Sequence, residues 1–219
     1  MNYIISIINP ESLATLTELC AQLELPQTLV LHGKGTAVRS MLDLLGIESN
    51  EKRIVMAFAD EENTKKLIAE QKRHLHIGVP GHGIVIAVPI KSVGGGKVLS
   101  YLNRDRSAKY TPSLNYSYEL IVVIANEGTS DTVMNAARAA GARGGTVIHA
   151  KGTGSAEAAQ FYNISIAKEK ELVLIVSSTN EKTEIMRSIL QKAGPDSPAG
   201  AIAFSLPTSE VAGFGLLEE

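Results

Sequence analysis

The sequence predicts an α+β fold that is built twice, as two ferredoxin-like βαββαβ domains in tandem. The first observation is an internal repeat: Ile4 corresponds to Ile121 and His32 to His149, with the same offset of 117 residues. The second is that both halves alternate short apolar runs with segments of helical periodicity in the same order. The third is a hydrophobic content of 44% with only 5% aromatic residues, enough to fill two small aliphatic cores in 219 residues.

The repeat sets the predicted domain boundaries. Residues 1–96 form the first domain and residues 118–219 the second. The polar residues 97–117 between them are predicted to start as a short helix and to continue as a linker.

In the first copy, the apolar run at residues 3–8 predicts a buried strand. Asn9-Pro10-Glu11 predicts the start of a helix, because proline is favoured at an early helical position, and Pro26 predicts its end. The remaining predicted elements are a strand at 28–31, a glycine loop at 33–35, an irregular segment at 36–51, a strand at 53–59, a helix capped by Asp60 that runs to about residue 74, and a strand at 84–88.

The second copy repeats this order. Thr129 or Ser130 is predicted to cap its first helix, Gly141 to end it, and Ser178 with Glu181 to form a capping box for the second helix. The predicted strands lie at 119–125, 144–149, 171–176 and 201–206, and a loop at 153–168 separates the second strand from the third.

Two βαβ units in series place both helices of each domain on one face of its sheet. The other face is then expected to be uncovered, although the strands are apolar on both sides. We therefore predict that this face packs against another copy of the chain in a homo-oligomer.

Composition excludes several classes of function. The formal net charge is −2. Proteins that bind nucleic acid or an anionic membrane usually carry an excess of positive charge, which this sequence does not have. No apolar run reaches the roughly 20 residues of a membrane-spanning helix, and the first residues of the sequence lack the basic stretch and apolar core expected of a signal peptide. With Cys20 as the single cysteine, a cytoplasmic location is expected.

The sequence predicts a regulator and no enzyme. It shows no Ser/His/Asp set, no nucleophile motif and no paired carboxylates at a glycine corner. The acidic pair Glu61-Glu62 lies at a helix start, where carboxylates favour the helix dipole.

Glycine-rich corners are the candidate ligand sites. Glycine allows backbone N–H groups to face outward, which favours binding of phosphate, although such a corner also serves simply as a turn. The lysines that recur in both copies are explained equally by a phosphate contact or by a solvated charge. The predicted ligand-binding residues are Gly33, Lys34, Gly35 and Thr36 with Gly81, His82 and Gly83 in the first copy, and Lys151, Gly152, Thr153 and Gly154 in the second.

On these corners the chain resembles the nitrogen regulatory protein P-II family over most of both copies. Gly152-Thr153-Gly154 is similar to the base of the family's long signalling T-loop, and Gly78, Gly81 and Gly83 are similar to its B-loop. His82 and Ile84 stand where the family's B-loop has aspartate and lysine. Tyr162 stands near the family's modified tyrosine without its flanking residues, so uridylylation there is not expected.

The resemblance implies a signal-transduction protein in nitrogen regulation that senses a small effector, with ATP or ADP possible, and regulates a partner protein through its loops. It also implies a trimer, which for a tandem chain is predicted to form two stacked rings. The alternative is a divalent-metal-binding or purely structural trimer without effector binding, in which His74, His76 and His82 cluster near one strand.

Overall fold

The computed structural model describes residues 1–25, 28–36, 50–90, 114–152, 160–161, 164–165 and 168–213. The chain divides into two compact units. The first unit comprises Met1–His32, Arg39–Tyr118 and Pro207–Glu219, and the second comprises Gly33–Val38 and Glu119–Leu206. Each unit therefore includes a short segment from the other half of the sequence.

Eleven strands and four α-helices occur in the described residues. The strands are β1 (Asn2–Ile8), β2 (Leu29–Gly35), β3 (Glu51–Ala59), β4 (Gly83–Pro89), β5 (Asn115–Asn126), β6 (Thr146–Gly152), β7 (Gln160–Phe161), β8 (Ile164–Ser165), β9 (Lys168–Ser178), β10 (Ile202–Thr208) and β11 (Glu210–Ala212). The helices are α1 (Leu13–Gln22), α2 (Glu61–Leu75), α3 (Ser130–Ala139) and α4 (Thr179–Ala193). None of these helices is long and apolar enough to cross a membrane.

In the first unit, β1 is the central strand. It pairs antiparallel with β3 on one edge and with β4 on the other, so that Ile8 lies opposite both Arg53 and Gly83. The strand order is β2-β3-β1-β4-β11. The last strand, β11, pairs antiparallel with β4 and extends the sheet beyond the four strands predicted for this half.

In the second unit, the strand order is β10-β5-β9-β6, and β6 pairs antiparallel with β9. This order of fourth, first, third and second strand is that of a ferredoxin-like fold. The end of β2 lies beside β6, with Lys34 opposite Val147 and Gly35 opposite Thr146. The first four strands of the first unit follow the same order, while the origin of both units from one duplicated domain stays a prediction.

Each unit has its own core between the helices and one face of the sheet. Ile4, Leu16 and Leu67 pack together in the first unit. In the second unit the core residues include Ile121 and Ile185. The alternation of a strand places successive side chains on opposite faces, so the neighbours of these residues point away from the helices.

The sheet face opposite the helices is buried within the chain. The prediction that this face is uncovered is wrong, because its central side chains are at most 6% exposed: Ile5, Ile7, Ile54 and Ile86 in the first unit and Leu120, Val122, Ile148 and Leu174 in the second. An open apolar face therefore no longer supports the predicted trimer. The trimer stays a prediction.

The helix ends confirm two predictions and correct a third. Asp60 accepts a hydrogen bond from the N–H of Asn63 at 2.7 Å and caps α2. Ser178 accepts from the N–H of Glu181 at 3.4 Å, and its hydroxyl donates to the Glu181 carboxylate at 2.6 Å, which confirms the predicted cap of α4. The Thr129 hydroxyl instead donates to the carbonyl of Asn126, so it does not cap α3.

A carboxylate from β9 caps α3. One oxygen of Glu171 accepts from the N–H groups of Thr129 and Ser130, at 3.1 and 2.8 Å. The Glu171 residue is only 4% exposed. These are the backbone donors that a helix leaves without partners at its first turn, and the negative charge also favours that end of the helix dipole.

Several predicted segments differ in extent or lie outside the described residues. A 3-10 turn at Pro10–Ser12 precedes α1, which begins at Leu13. Residues 115–117 belong to β5 and are not part of a linker. Pro26, Tyr162, residues 97–113 of the predicted linker and most of the predicted loops at 36–51 and 153–168 lie outside the described residues.

Glu171→Gln is expected to lower the free energy of unfolding by about 1 kcal/mol, because the neutral amide loses the charge that favours the first turn of α3. Urea unfolding followed by circular dichroism measures the change. Glu184→Gln is the matched control, since Glu184 forms an exposed ion pair with Arg187. An equal effect of both substitutions would show that Glu171 adds nothing as a cap.

Cys20 is expected to react with a thiol reagent at pH 8 at least about a hundredfold more slowly in the folded protein than in urea. It is 2% exposed in the core of the first unit. Burial raises the pKa of its thiol to about 11, with an opposing hydrogen bond from Thr28. Equal rates in both conditions would place Cys20 outside the core.

Candidate functional site

The predicted ligand residues at the end of β2 lie in extended backbone and do not form a glycine corner. Gly33 and Gly35 are strand residues, and neither has a positive φ angle. Lys34 between them is exposed. Thr36, which follows, donates to the carbonyl of Gly145 from both its N–H and its hydroxyl at 3.1 Å.

Two further hydrogen bonds hold Thr36. Its hydroxyl oxygen accepts from the N–H of Gly145 at 2.9 Å, and its carbonyl accepts from the guanidinium of Arg138. A ligand that used the Thr36 hydroxyl would have to compete with these bonds. Gly33–Thr36 belongs to the second unit, whereas Gly81, His82 and Gly83 belong to the first. The predicted cleft joining the two groups stays a prediction.

The corner that precedes β4 has the backbone expected of a glycine loop. Gly78, Gly81 and Gly83 have φ angles of 120°, 89° and 133°, and His76 is left-handed at 55°. Only glycine adopts such angles readily. The His82 side chain is exposed, and its ring contacts that of His76 edge-on, with centroids 5.8 Å apart.

Gly83 is required by the fold as well as by the corner. A Cβ at this position would lie 2.5 Å from the carbonyl oxygen of Ile7 in the neighbouring strand. A substitution such as Gly83→Val would therefore disturb the pairing of β1 with β4, and it would not test ligand binding alone.

A chain of three polar groups ties this corner to the sheet. The Lys52 ammonium, at the start of β3, donates to the side-chain oxygen of Asn9, which follows β1. The Asn9 amide then donates to the carbonyl of Gly81 at 3.2 Å. Burial lowers the pKa of Lys52, and the nearby charge of Glu11 partly opposes this shift.

The second unit contains the same chain of groups at equivalent positions. The Lys170 ammonium in β9 donates to the side-chain oxygen of Asn126 at 2.6 Å, and the Asn126 amide donates to the carbonyl of Pro198 at 2.9 Å. The two sets are offset by 117 residues for the asparagines and the carbonyls and by 118 for the lysines. We call each set a Lys–Asn–carbonyl chain.

Sequence reasoning missed these chains as a possible site, although the signal was present. Asn9 and Asn126 both end the matched central strands of the repeat, and Lys52 and Lys170 both occur near the start of the third strand. What the sequence does not show is that the polypeptide before the fourth strand returns to the same point.

Of the predicted residues in the second copy, only Lys151 and Gly152 lie within the described residues. They end β6, and the Lys151 ammonium lies 3.3 Å from the carboxylate of Glu169. This pair is exposed and adds little stability, so Lys151 remains accessible to an anion. Thr153 and Gly154 lie outside the described residues.

The histidines do not assemble a metal site in the described part of the chain. His74 lies 3.1 Å from the carboxylate of Glu70, one turn earlier in α2. Among the described residues, no group of three or more His, Cys, Asp or Glu side chains is placed to hold a metal ion.

Asn126→Asp is expected to raise the amide exchange rate of Gly200 at least about fivefold, because the carboxylate keeps the bond from Lys170 but cannot donate to Pro198. Hydrogen exchange followed by NMR measures this rate. The control is Asn135→Asp on the exposed face of α3. Unchanged exchange at Gly200 would show that Asn126 does not hold the corner.

Residues 118–214 match the family of nitrogen regulatory protein P-II. The match covers less than half of the 219 residues and falls on the half that supplies most of the second unit. This part of the chain therefore has a P-II-like, ferredoxin-like fold. No curated protein is significantly similar to the chain.

Several solved structures are similar at low identity. A Bacillus cereus protein related to NIF3 is 12% identical, with a TM-score of 0.35, over 47% of this chain and 28% of its own. The B. subtilis GlnK–ATP complex is 14% identical, with a TM-score of 0.35, over 48% of this chain and 100% of its own. An unknown protein from Galdieria sulphuraria is 10% identical, with a TM-score of 0.28, over 94% of this chain and 97% of its own.

Proposed function

We propose that the protein is a tandem P-II-like signalling protein that senses a small effector and regulates a partner protein through its loops. The observation that carries this proposal is the match of residues 118–214 to the P-II family. An adenine nucleotide is the proposed effector, because the resemblance implies ATP or ADP and because glycine corners allow backbone N–H groups to face a phosphate.

The first unit is proposed to be a second P-II-like domain. Its four-strand order and its Lys–Asn–carbonyl chain repeat those of the second unit. Two unrelated domains would have no reason to place the same three groups at positions offset by 117 or 118 residues.

The corner of the first unit is the proposed nucleotide site. Its glycines allow backbone amides to approach a phosphate closely, and a Cβ built at Gly78 meets no neighbouring atom. His82 supplies an exposed ring N–H, and Lys52 places a cation behind Asn9. We retain Gly33, Lys34, Gly35 and Thr36 as further proposed contacts.

The second proposed site uses Lys151, Gly152, Thr153 and Gly154. Its fourth-strand corner has lost the glycines of the first. Pro195 and Pro198 now stand there, and only Gly200 retains a positive φ angle, at 52°. Fewer free backbone donors are expected at such a corner, so we propose weaker nucleotide binding in this unit.

We also propose that the protein assembles as a trimer of two stacked rings and that it is cytoplasmic. Analytical ultracentrifugation tests the trimer directly. A stable monomer at micromolar concentration would remove the trimer. The metal-binding or structural alternative becomes the better explanation if no nucleotide binds.

Calorimetric titration with ATP and with ADP tests the nucleotide site. We expect binding to the unaltered protein, and about tenfold weaker binding for His82→Ala, because a hydrogen bond to a charged phosphate is lost. His74→Ala is the matched control, since His74 is also exposed and pairs with Glu70 on the surface of α2. No heat at millimolar nucleotide, or equal affinity of both variants, would refute the site at this corner.

A further inference from the structure

In the part of the chain that the structure describes, the fourth strand of the second unit, β10, has one edge without a partner strand. In the described residues β10 pairs only with β5, because it ends the strand order of this sheet. Its seven residues, Ile202–Thr208, include no charged side chain, and Ile202 and Phe204 are 52% and 41% exposed. Natural proteins usually protect such an edge with lysine or with a covering segment, because bare backbone groups attract another strand.

An open groove of about 650 Å³ runs beside this edge, between β10 and α4. Leu190 on the helix is 41% exposed, and Ser205 is the β10 residue that lines the groove. The groove is lined by Lys182, Thr183, Met186, Arg187, Leu190, Gln191 and Ser205. An unpaired strand edge beside a helix is the geometry that accepts an extended peptide as an additional strand.

The charges of the groove favour an acidic occupant. Lys182 and Arg187 are cations, and no carboxylate is among the residues that line it. Arg187 pairs with Glu184 at the surface, where both side chains are more than half exposed, so a second carboxylate can replace that weak partner.

Lys182 is held in place by an ion pair with a strand residue. Its ammonium lies 2.7 Å from the carboxylate of Glu119. Burial acts to raise the pKa of Glu119, but hydrogen bonds from Lys182 and Ser205 bring it below its usual value. The Lys182 ammonium retains further N–H donors for an incoming carboxylate.

We infer that β10 and this groove bind an extended, acidic segment of a partner protein, which adds to the sheet as a strand. Its backbone pairs with the free edge of β10. Alternate side chains then point toward the groove, where carboxylates meet Lys182 and Arg187, while the others lie beside Ile202 and Phe204. Pro207 lacks an N–H and limits the pairing to the residues before it. The inference goes beyond the proposed function and does not depend on nucleotide binding.

The same features argue against two other occupants. A second copy of the chain that paired β10 with β10 about a two-fold axis would bring the cations of both grooves toward each other. A small anion would meet the cations but would leave the strand edge and the exposed Ile202 and Phe204 unused.

The test uses the full-length protein without nucleotide and a fluorescent peptide of about eight alternating valine and glutamate residues, the length of an ordinary strand. We expect saturable binding by fluorescence anisotropy and slower amide exchange in β10. Leu190→Glu, which places a carboxylate in the groove, should weaken binding at least about tenfold. Leu29→Glu is the matched control, because Leu29 is a similarly exposed leucine of the first unit.

A charge exchange separates recognition from misfolding. Arg187→Glu should lose the acidic peptide and gain affinity for a peptide of alternating valine and lysine, which a misfolded variant would not do. The inference is overturned if the acidic peptide does not bind, or if it binds without protecting β10. It is also overturned if β10 becomes protected through self-association of the chain alone.

Discussion

The central strand of each unit is the constraint on which the remaining structure depends. Because β1 and β5 have neighbouring strands on both edges, their backbone groups are paired within the sheet and their side chains are buried on both faces. The strand must then end where polar groups can be satisfied. In each unit it ends at an asparagine, Asn9 or Asn126, whose amide oxygen and nitrogen bind groups from two other segments.

Asparagine suits this position because its side chain both accepts and donates. It accepts from the lysine of the third strand and donates to a carbonyl of the corner before the fourth strand. Three segments distant in sequence are thereby held at one point. The corner before the fourth strand is thereby joined, through the asparagine, to the start of the third strand.

Around this shared framework the two units differ in their polar chemistry. Glu171 caps the first helix of the second unit, whereas the equivalent position of the first unit holds Arg53. A 3-10 turn at Pro10–Ser12 precedes α1 in that unit. The first corner keeps three glycines at positive φ, whereas the second is rich in proline. We propose that ligand binding takes place mainly in the first unit. The second unit offers the β10 edge and its groove to a protein partner.

The sequence by itself determined the order of elements, because that order follows from local chemistry. The apolar runs predicted the central strands, and Asp60 and Ser178 predicted two helix starts through side chains that reach N–H groups three residues away. The glycines at 78, 81 and 83 predicted a corner for the same local reason, and all three have positive φ angles. The P-II resemblance of residues 118–214 was likewise readable from the sequence.

Only the tertiary structure decided the features that join distant residues. Thr129 had the right residue type for a cap, but Glu171, a residue 42 positions away, took that role. Gly33 to Thr36 had the composition of a corner, but pairing with β6 drew them into extended backbone. The burial of the second sheet face, the contact of Asn9 with Gly81 and the free edge of β10 depend in the same way on which segments meet. The spacing of residues along the sequence carries no information about these long-range contacts, because they follow from the packing of the whole chain.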